Sequence, residues 1–177
     1  MIATKSVKPA LQLTYVKLMM DVIGRGLVMA SQVDDEVKQE VSKFPENFTL
    51  SMNVFPHGPA FIARVTSNQQ LELVPNLATK PDLIITFKHL SHAFFFFFFQ
   101  ESTAQAFAND RMIADGDISY AIRLVRCLNK MEALILPKLI AELAVKEYPN
   151  NLSLKEKLTG AASIYLKVAQ SYFTRSA

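Results

Sequence analysis

The chain has 177 residues, half of them hydrophobic and a fifth charged, with a formal net charge of +3. That length is one domain, or one domain with an appendage, and it can bury a substantial core. The 19 basic and 16 acidic residues are scattered, never forming a dense basic block with interleaved aromatics, which excludes nucleic-acid binding. So apolar a composition implies either an exposed apolar patch or an interior lined for an apolar guest. Cys127 is the only cysteine, so no intramolecular disulfide forms and a reducing compartment suits the chain. Lys17, Asp21 and Arg25 interrupt the first apolar stretch, which fits neither a signal-peptide core nor a membrane span of about 20 apolar residues. A cytoplasmic protein is expected.

Residues from Pro9 to Ala30 carry a helical pattern, with Thr14, Lys17, Asp21, Gly24 and Arg25 as a narrow polar stripe on an otherwise apolar helix. Burial against the domain is one reading of that pattern. An amphipathic helix at a membrane surface or a partner is the other, and it calls for more Lys and Arg than this helix has. Asp34, Asp35 and Glu36 open a second helix running to Lys43, its acids and its lysine matched to the helix dipole, and Phe44-Pro45 ends it. From Phe48 the period becomes two: Phe48, Leu50, Met52 and Val54 alternate with polar residues, a half-buried strand. Pro56-His57-Gly58-Pro59 is a turn, Ala60 to Thr66 a returning strand, and Gln70 to Val74 a third, so an antiparallel meander is expected.

The stretch from Pro81 to Leu128 holds six consecutive phenylalanines, Phe94 to Phe99, of the chain's thirteen. Leu83 to Phe87 before them reads as a strand, and the run itself as a helix. Ser102 to Ala108 is a short helix, and Arg111 to Ala114 a second short strand broken at Gly116. Asp117 is placed to cap a helix bearing Ile118, Ala121, Ile122, Val125 and Leu128 at helical spacing. Met131, Leu134, Leu139 and Leu143 continue the apolar pattern across a break at Pro137. Ser153 with Glu156 makes a capping box for a last amphipathic helix. The order of elements gives an α+β fold: a five-stranded, mostly antiparallel sheet covered on one face by helices, with extra N- and C-terminal helices.

Two segments carry a family resemblance. Pro81-Asp82-Leu83-Ile84-Ile85-Thr86 resembles a strand of the sterol carrier protein-2 family. Arg111 to Asp117, followed by Ala121 and Leu124, resembles that family's turn, strand and helix start. The likeness spans roughly residues 47 to 139, and the spacing of the segments fits. Where the family usually has a glycine before the basic residue, this chain has Asp110, which tolerates the left-handed conformation that the turn needs. The resemblance implies a lipid tunnel between sheet and helices and a non-enzymatic carrier of a fatty acyl, sterol-like or isoprenoid lipid. It divides the chain into an N-terminal helical appendage (1–45), the lipid-binding domain (46–147) and a C-terminal helix (148–177). On that reading Phe95, Phe98, Phe99, Phe107, Ile118, Ile122 and Val125 line the tunnel, and Leu134 and Leu139 close it. No cofactor is implied other than a bound lipid. Partners are the lipid itself, a membrane surface touched transiently, or enzymes of a quinone pathway if the chain serves ubiquinone biosynthesis by presenting a polyprenylated intermediate. A ligand-free homodimer joined through the phenylalanines is a third reading.

Nothing positive favours an enzyme. His89 and His92 lack a third and fourth metal ligand near them in sequence. Cys127 lies beside an apolar helix stripe, where free cysteines are usually small buried hydrophobes. Asp115 and Asp117 flank a turn glycine, where capping explains them better than acid–base work. The six phenylalanines point all round a helix, so they are either core throughout or divided between core and cavity.

Overall fold

The computed structural model describes residues 9–97 and 102–135. The elements are α1 (Pro9–Val33), α2 (Asp35–Val41), β1 (Thr49–Val54), β2 (Ala60–Val65), β3 (Leu71–Leu73), β4 (Leu83–Phe87), α3 (Leu90–Phe97), α4 (Thr103–Ala108), β5 (Met112–Asp115) and α5 (Ile118–Ile135). The five strands form one sheet in the order β3-β2-β1-β4-β5. Three of its pairings are antiparallel, and β1 with β4 is parallel, joining the meander to the later strands. The expected α+β architecture is therefore present, with element ends differing from the sequence pattern by one to three residues, the most at α1, which runs on from Ala30 to Val33. The C-terminal helix expected from the Ser153 capping box lies outside the described residues.

Local chemistry explains the element boundaries. The Asp34 carboxylate accepts from the Val37 amide at 3.0 Å and caps α2. Ser102 and Gln105 complete a reciprocal capping box at α4. Asp117 accepts from the Ser119 amide at 2.7 Å at the start of α5, as its position after Gly116 predicts. Asp110 adopts φ +56, so the aspartate does take the left-handed turn conformation.

Alternation along the strands assigns one face of the sheet to the core. Leu50, Met52, Ala63, Val65, Leu83, Ile85 and Phe87 are all at most 1% exposed, whereas Ile62, Ile84 and Thr86 on the other face stay half-buried. The buried face packs with Val16, Met20 and Leu27 of α1, Phe96 and Phe97 of α3, and Leu124, Leu128 and Met131 of α5.

The parallel pair is fixed at its start by Asp82. Its carboxylate accepts from both the amide and the hydroxyl of Thr49, at 2.8 and 2.7 Å, and its own amide donates to the Thr49 hydroxyl. That sets Leu50 opposite Leu83 and carries the register through to Val54 opposite Phe87. Gly116 sits on the same corner. A Cβ there meets the Asp82 carbonyl oxygen at 2.6 Å, and φ is +140. Gly116→Ala therefore combines a backbone clash with a disfavoured conformation and is expected to cost about 2–4 kcal/mol. Asp82→Ala loses only solvent-exposed hydrogen bonds and is expected to cost about 1 kcal/mol. Urea unfolding of both variants, read as a shift in midpoint, checks that order.

Candidate functional site

The described part of the phenylalanine run divides between two environments. Phe96 and Phe97 are 3% and 1% exposed, with their rings 5.2 and 5.5 Å from the ring of Phe87 on β4. Phe94 and Phe95 are only half-buried. Phe94 meets Tyr15 of α1 edge to face at 5.5 Å, and the Arg111 guanidinium lies 5.8 Å from the Phe95 ring centre. The Tyr15 hydroxyl donates to the Phe97 carbonyl at 2.8 Å, tying α1 to the end of α3, and burial raises its pKa. Phe107 of α4 is half-buried against the core edge.

On α5 the expected ligand residues also separate. Leu134 is core, at 2% exposure, whereas Ile118 and Ile122 are 70% and 49% exposed and Val125 is half-buried. Phe98, Phe99 and Leu139 lie outside the described residues. The fold thus places Phe95 and Phe107 at the edge of the core, Ile118, Ile122 and Val125 on the outer face of α5, and Leu134 inside.

Two cavities open among the described residues. One, of about 880 Å³, lies between α2, α4 and α5, with Glu40, Thr103, Gln105, Arg126 and Asn129 among its lining. The other, of about 700 Å³, lies between α1 and the β2–β3 edge. Neither is lined by a described phenylalanine of the run, or by Ile118, Ile122 or Leu134.

The basic residues of α5 reach towards α2, Arg126 while staying largely exposed. Glu40 takes Arg123 at 2.9 Å and Arg126 at 3.2 Å, while Lys130, only 5% exposed, reaches Glu36 at 2.8 Å. These pairs hold α5 to α2 and present no spare nucleophile or base. Cys127 is 1% exposed, and burial, with Glu40 and Asp34 nearby, pushes its thiol up to about 12. Asp117 is held below the ordinary carboxylate range by hydrogen bonds from Ser119, and Asp115 pairs with Lys80 at 2.7 Å. The rings of His89 and His92 lie 5.0 Å apart, and among the described residues no three potential ligands group as a metal site. Among the same residues, no helix is long and apolar enough to cross a membrane.

Sequence reasoning passed over Glu132. It is 6% exposed within the fully buried run Lys130 to Leu134, and no described residue gives it a hydrogen bond or ion pair. Burial raises its carboxyl from the ordinary 4.5 to about 8. The one signal was its place among Met131, Ala133 and Leu134 in an apolar helix.

No protein-family model matches the chain, and no curated protein matches it. Among solved structures, a UbiJ-SCP2 ubiquinone synthesis protein is similar at 15% identity and TM-score 0.44, covering 71% of this chain and 98% of that one. Sterol carrier protein 2 like 2 from Aedes aegypti is similar at 13% identity and TM-score 0.41, covering 64% and 95%. Sterol carrier protein domain 2 of Helicoverpa armigera is similar at 15% identity and TM-score 0.42, covering 67% and 85%.

Two outcomes follow from the buried groups. Cys127 in the folded protein is expected to resist a thiol reagent at pH 8 that labels it at once in urea. Glu132 binds a proton more tightly folded than unfolded, so its contribution is complete below pH 4.5 and is lost as pH rises through about 8. The melting temperature should therefore fall over that window. Glu132→Gln should flatten the fall, which thermal unfolding at a series of pH values measures.

Proposed function

We propose that this chain is a cytoplasmic, non-catalytic binder or carrier of a hydrophobic lipid, of the fatty acyl, sterol-like or isoprenoid kind. The observation that carries this reading is the division of the phenylalanine run. If the run served only the core, its described members would all be buried. Instead Phe94 and Phe95 on α3, and Phe107 on α4, keep part of their rings accessible.

Those aromatic faces, with few polar groups among them, suit a long apolar chain. Each methylene removed from water contributes about 0.8 kcal/mol, so about ten methylenes supply roughly 8 kcal/mol before the cost of ordering the chain. Affinity of that kind needs no charged contact. The cysteine and the aspartates that might have served chemistry are instead buried, paired or capping. The exposed Ile118 and Ile122 extend the accessible apolar surface along α5.

Titration with fluorescent fatty acid, sterol and polyprenyl analogues tests the reading. At least one is expected to bind, and Phe95→Ser and Phe107→Ser are each expected to weaken it by roughly ten-fold, about 1.4 kcal/mol, in line with loss of a buried ring contact. A preference for the polyprenyl phenol would make the chain an accessory factor presenting a quinone precursor. Uptake unchanged by both substitutions would remove the phenylalanine seam from the account.

A further inference from the structure

We propose that the end of the sheet carrying the β1–β2 turn is a docking surface for an anionic membrane, where the protein takes up or releases its lipid. Phe55 begins that turn and is 62% exposed. Its amide donates to the Phe87 carbonyl at 2.9 Å, and the Lys88 amide donates to the Arg111 carbonyl at 3.0 Å. Phe55, Lys88 and Arg111 therefore stand just beyond the adjacent ends of β1, β4 and β5, within about 10 Å at the usual strand spacing. The Arg111 guanidinium continues the row to the half-buried Phe95. On the other flank of the turn, Pro59 and Ala60 border the 700 Å³ groove with Lys17 and Leu18 of α1. Lys17 is exposed, and Leu18 is 55% exposed. One end of the fold thus presents an exposed phenylalanine and an exposed leucine among cations. Docking there rests on the lipid-binding reading for its cargo alone.

The occupant follows from the charges. Lys17, Lys88 and Arg111 at this end meet one unbalanced acid, Asp110, which takes Lys88, while Asp21 in the groove is offset by Arg25 at 3.0 Å. The opposite end of the same strands is acidic. Asp82 stands before β4, Asp115 ends β5 and Asp117 precedes α5, with Lys80 paired to Asp115. A fold charged unevenly in this way turns its basic end to an anionic surface. The helix α1 alone has too few cations for that task, and the sheet end supplies the others. A partner protein is the poorer match. Phe55 and Leu18 are single side chains set apart by a groove, well short of the roughly 800 Å² per partner that a stable protein interface buries. A bilayer needs only shallow insertion of such side chains beside cations that attract its headgroups.

Flotation of the full chain with phosphatidylcholine vesicles, with and without phosphatidylglycerol, tests this. The chain is expected to float with the anionic vesicles and to leave them at high salt. Lys17→Glu and Phe55→Ser are each expected to weaken binding at least five-fold, about the effect of one basic residue at a charged membrane surface. Both positions are exposed, so circular dichroism should show folding intact, and uptake of a fluorescent lipid analogue in solution should be unchanged. Lys80→Glu makes the same change of net charge at the opposite end and should leave vesicle binding as it is. The chain has no tryptophan, so Phe55→Trp reports on the turn alone, and its emission should shift to the blue on adding anionic vesicles. No flotation, equal binding to both vesicle types, a Lys80→Glu effect as large as that of Lys17→Glu, or an unmoved Phe55→Trp emission would each overturn the docking surface. Vesicle binding without uptake of any lipid analogue would instead count against the carrier reading, since the two are measured separately.

Discussion

The fold turns on one corner, where the start of β4 meets the start of β1 and the end of β5. Strands β1 and β4 are far apart in sequence and run parallel, so no tight turn fixes their register. The Asp82 carboxylate does so instead, by taking both donors of Thr49. Gly116 then lets the chain leave β5 against the Asp82 carbonyl, in a space and a conformation that no side chain fits. A slip of one residue at this corner would send Leu83, Ile85 and Phe87 to the wrong face of the sheet. Both residues belong to short segments that stand out in the sequence, Pro81–Thr86 and Arg111–Asp117, and the fold brings those segments together.

Once β4 is placed, Phe87 becomes the floor on which α3 lands. Two consecutive aromatic residues of α3, Phe96 and Phe97, are spent on that floor. Helical geometry then turns Phe94 and Phe95 towards α1 and Arg111. On the other side of the core, α5 is held by an electrostatic seam to α2, with Glu40 between two arginines and Lys130 between two acids. Such pairs contribute little net stability where exposed, but truncating one side of a buried one is costly. They fix the rotation of α5, and with it the outward direction of Ile118 and Ile122.

Much of this was legible in the sequence, because periodicity and capping are local. The alternation of Leu50, Met52 and Val54, the triplet Leu83–Ile85 and the capping role of Asp117 read correctly from residue type and spacing, whereas the caps made by Asp34 and Ser102 show only in the structure. The parallel pairing of β1 with β4 was not legible, since it depends on contacts 33 residues apart. Nor was the division of the phenylalanines, because six identical side chains carry no period. The polar stripe of α1 reads from its spacing, but only the packed sheet edge reveals that Thr14, Lys17, Asp21 and Arg25 border a groove. Glu132 was hidden because a lone acid in an apolar helix looks like a surface residue until the neighbouring elements close around it.

Native mass spectrometry of the protein as purified, followed by solvent extraction, tests the central claim most directly. The account predicts a species heavier than the 19.9 kDa chain by one lipid, released on extraction and identifiable as an acyl, sterol-like or polyprenyl compound. A bare chain mass, with no lipid taken up on later addition of any of those three classes, would contradict it and return the half-buried phenylalanines to a packing role alone.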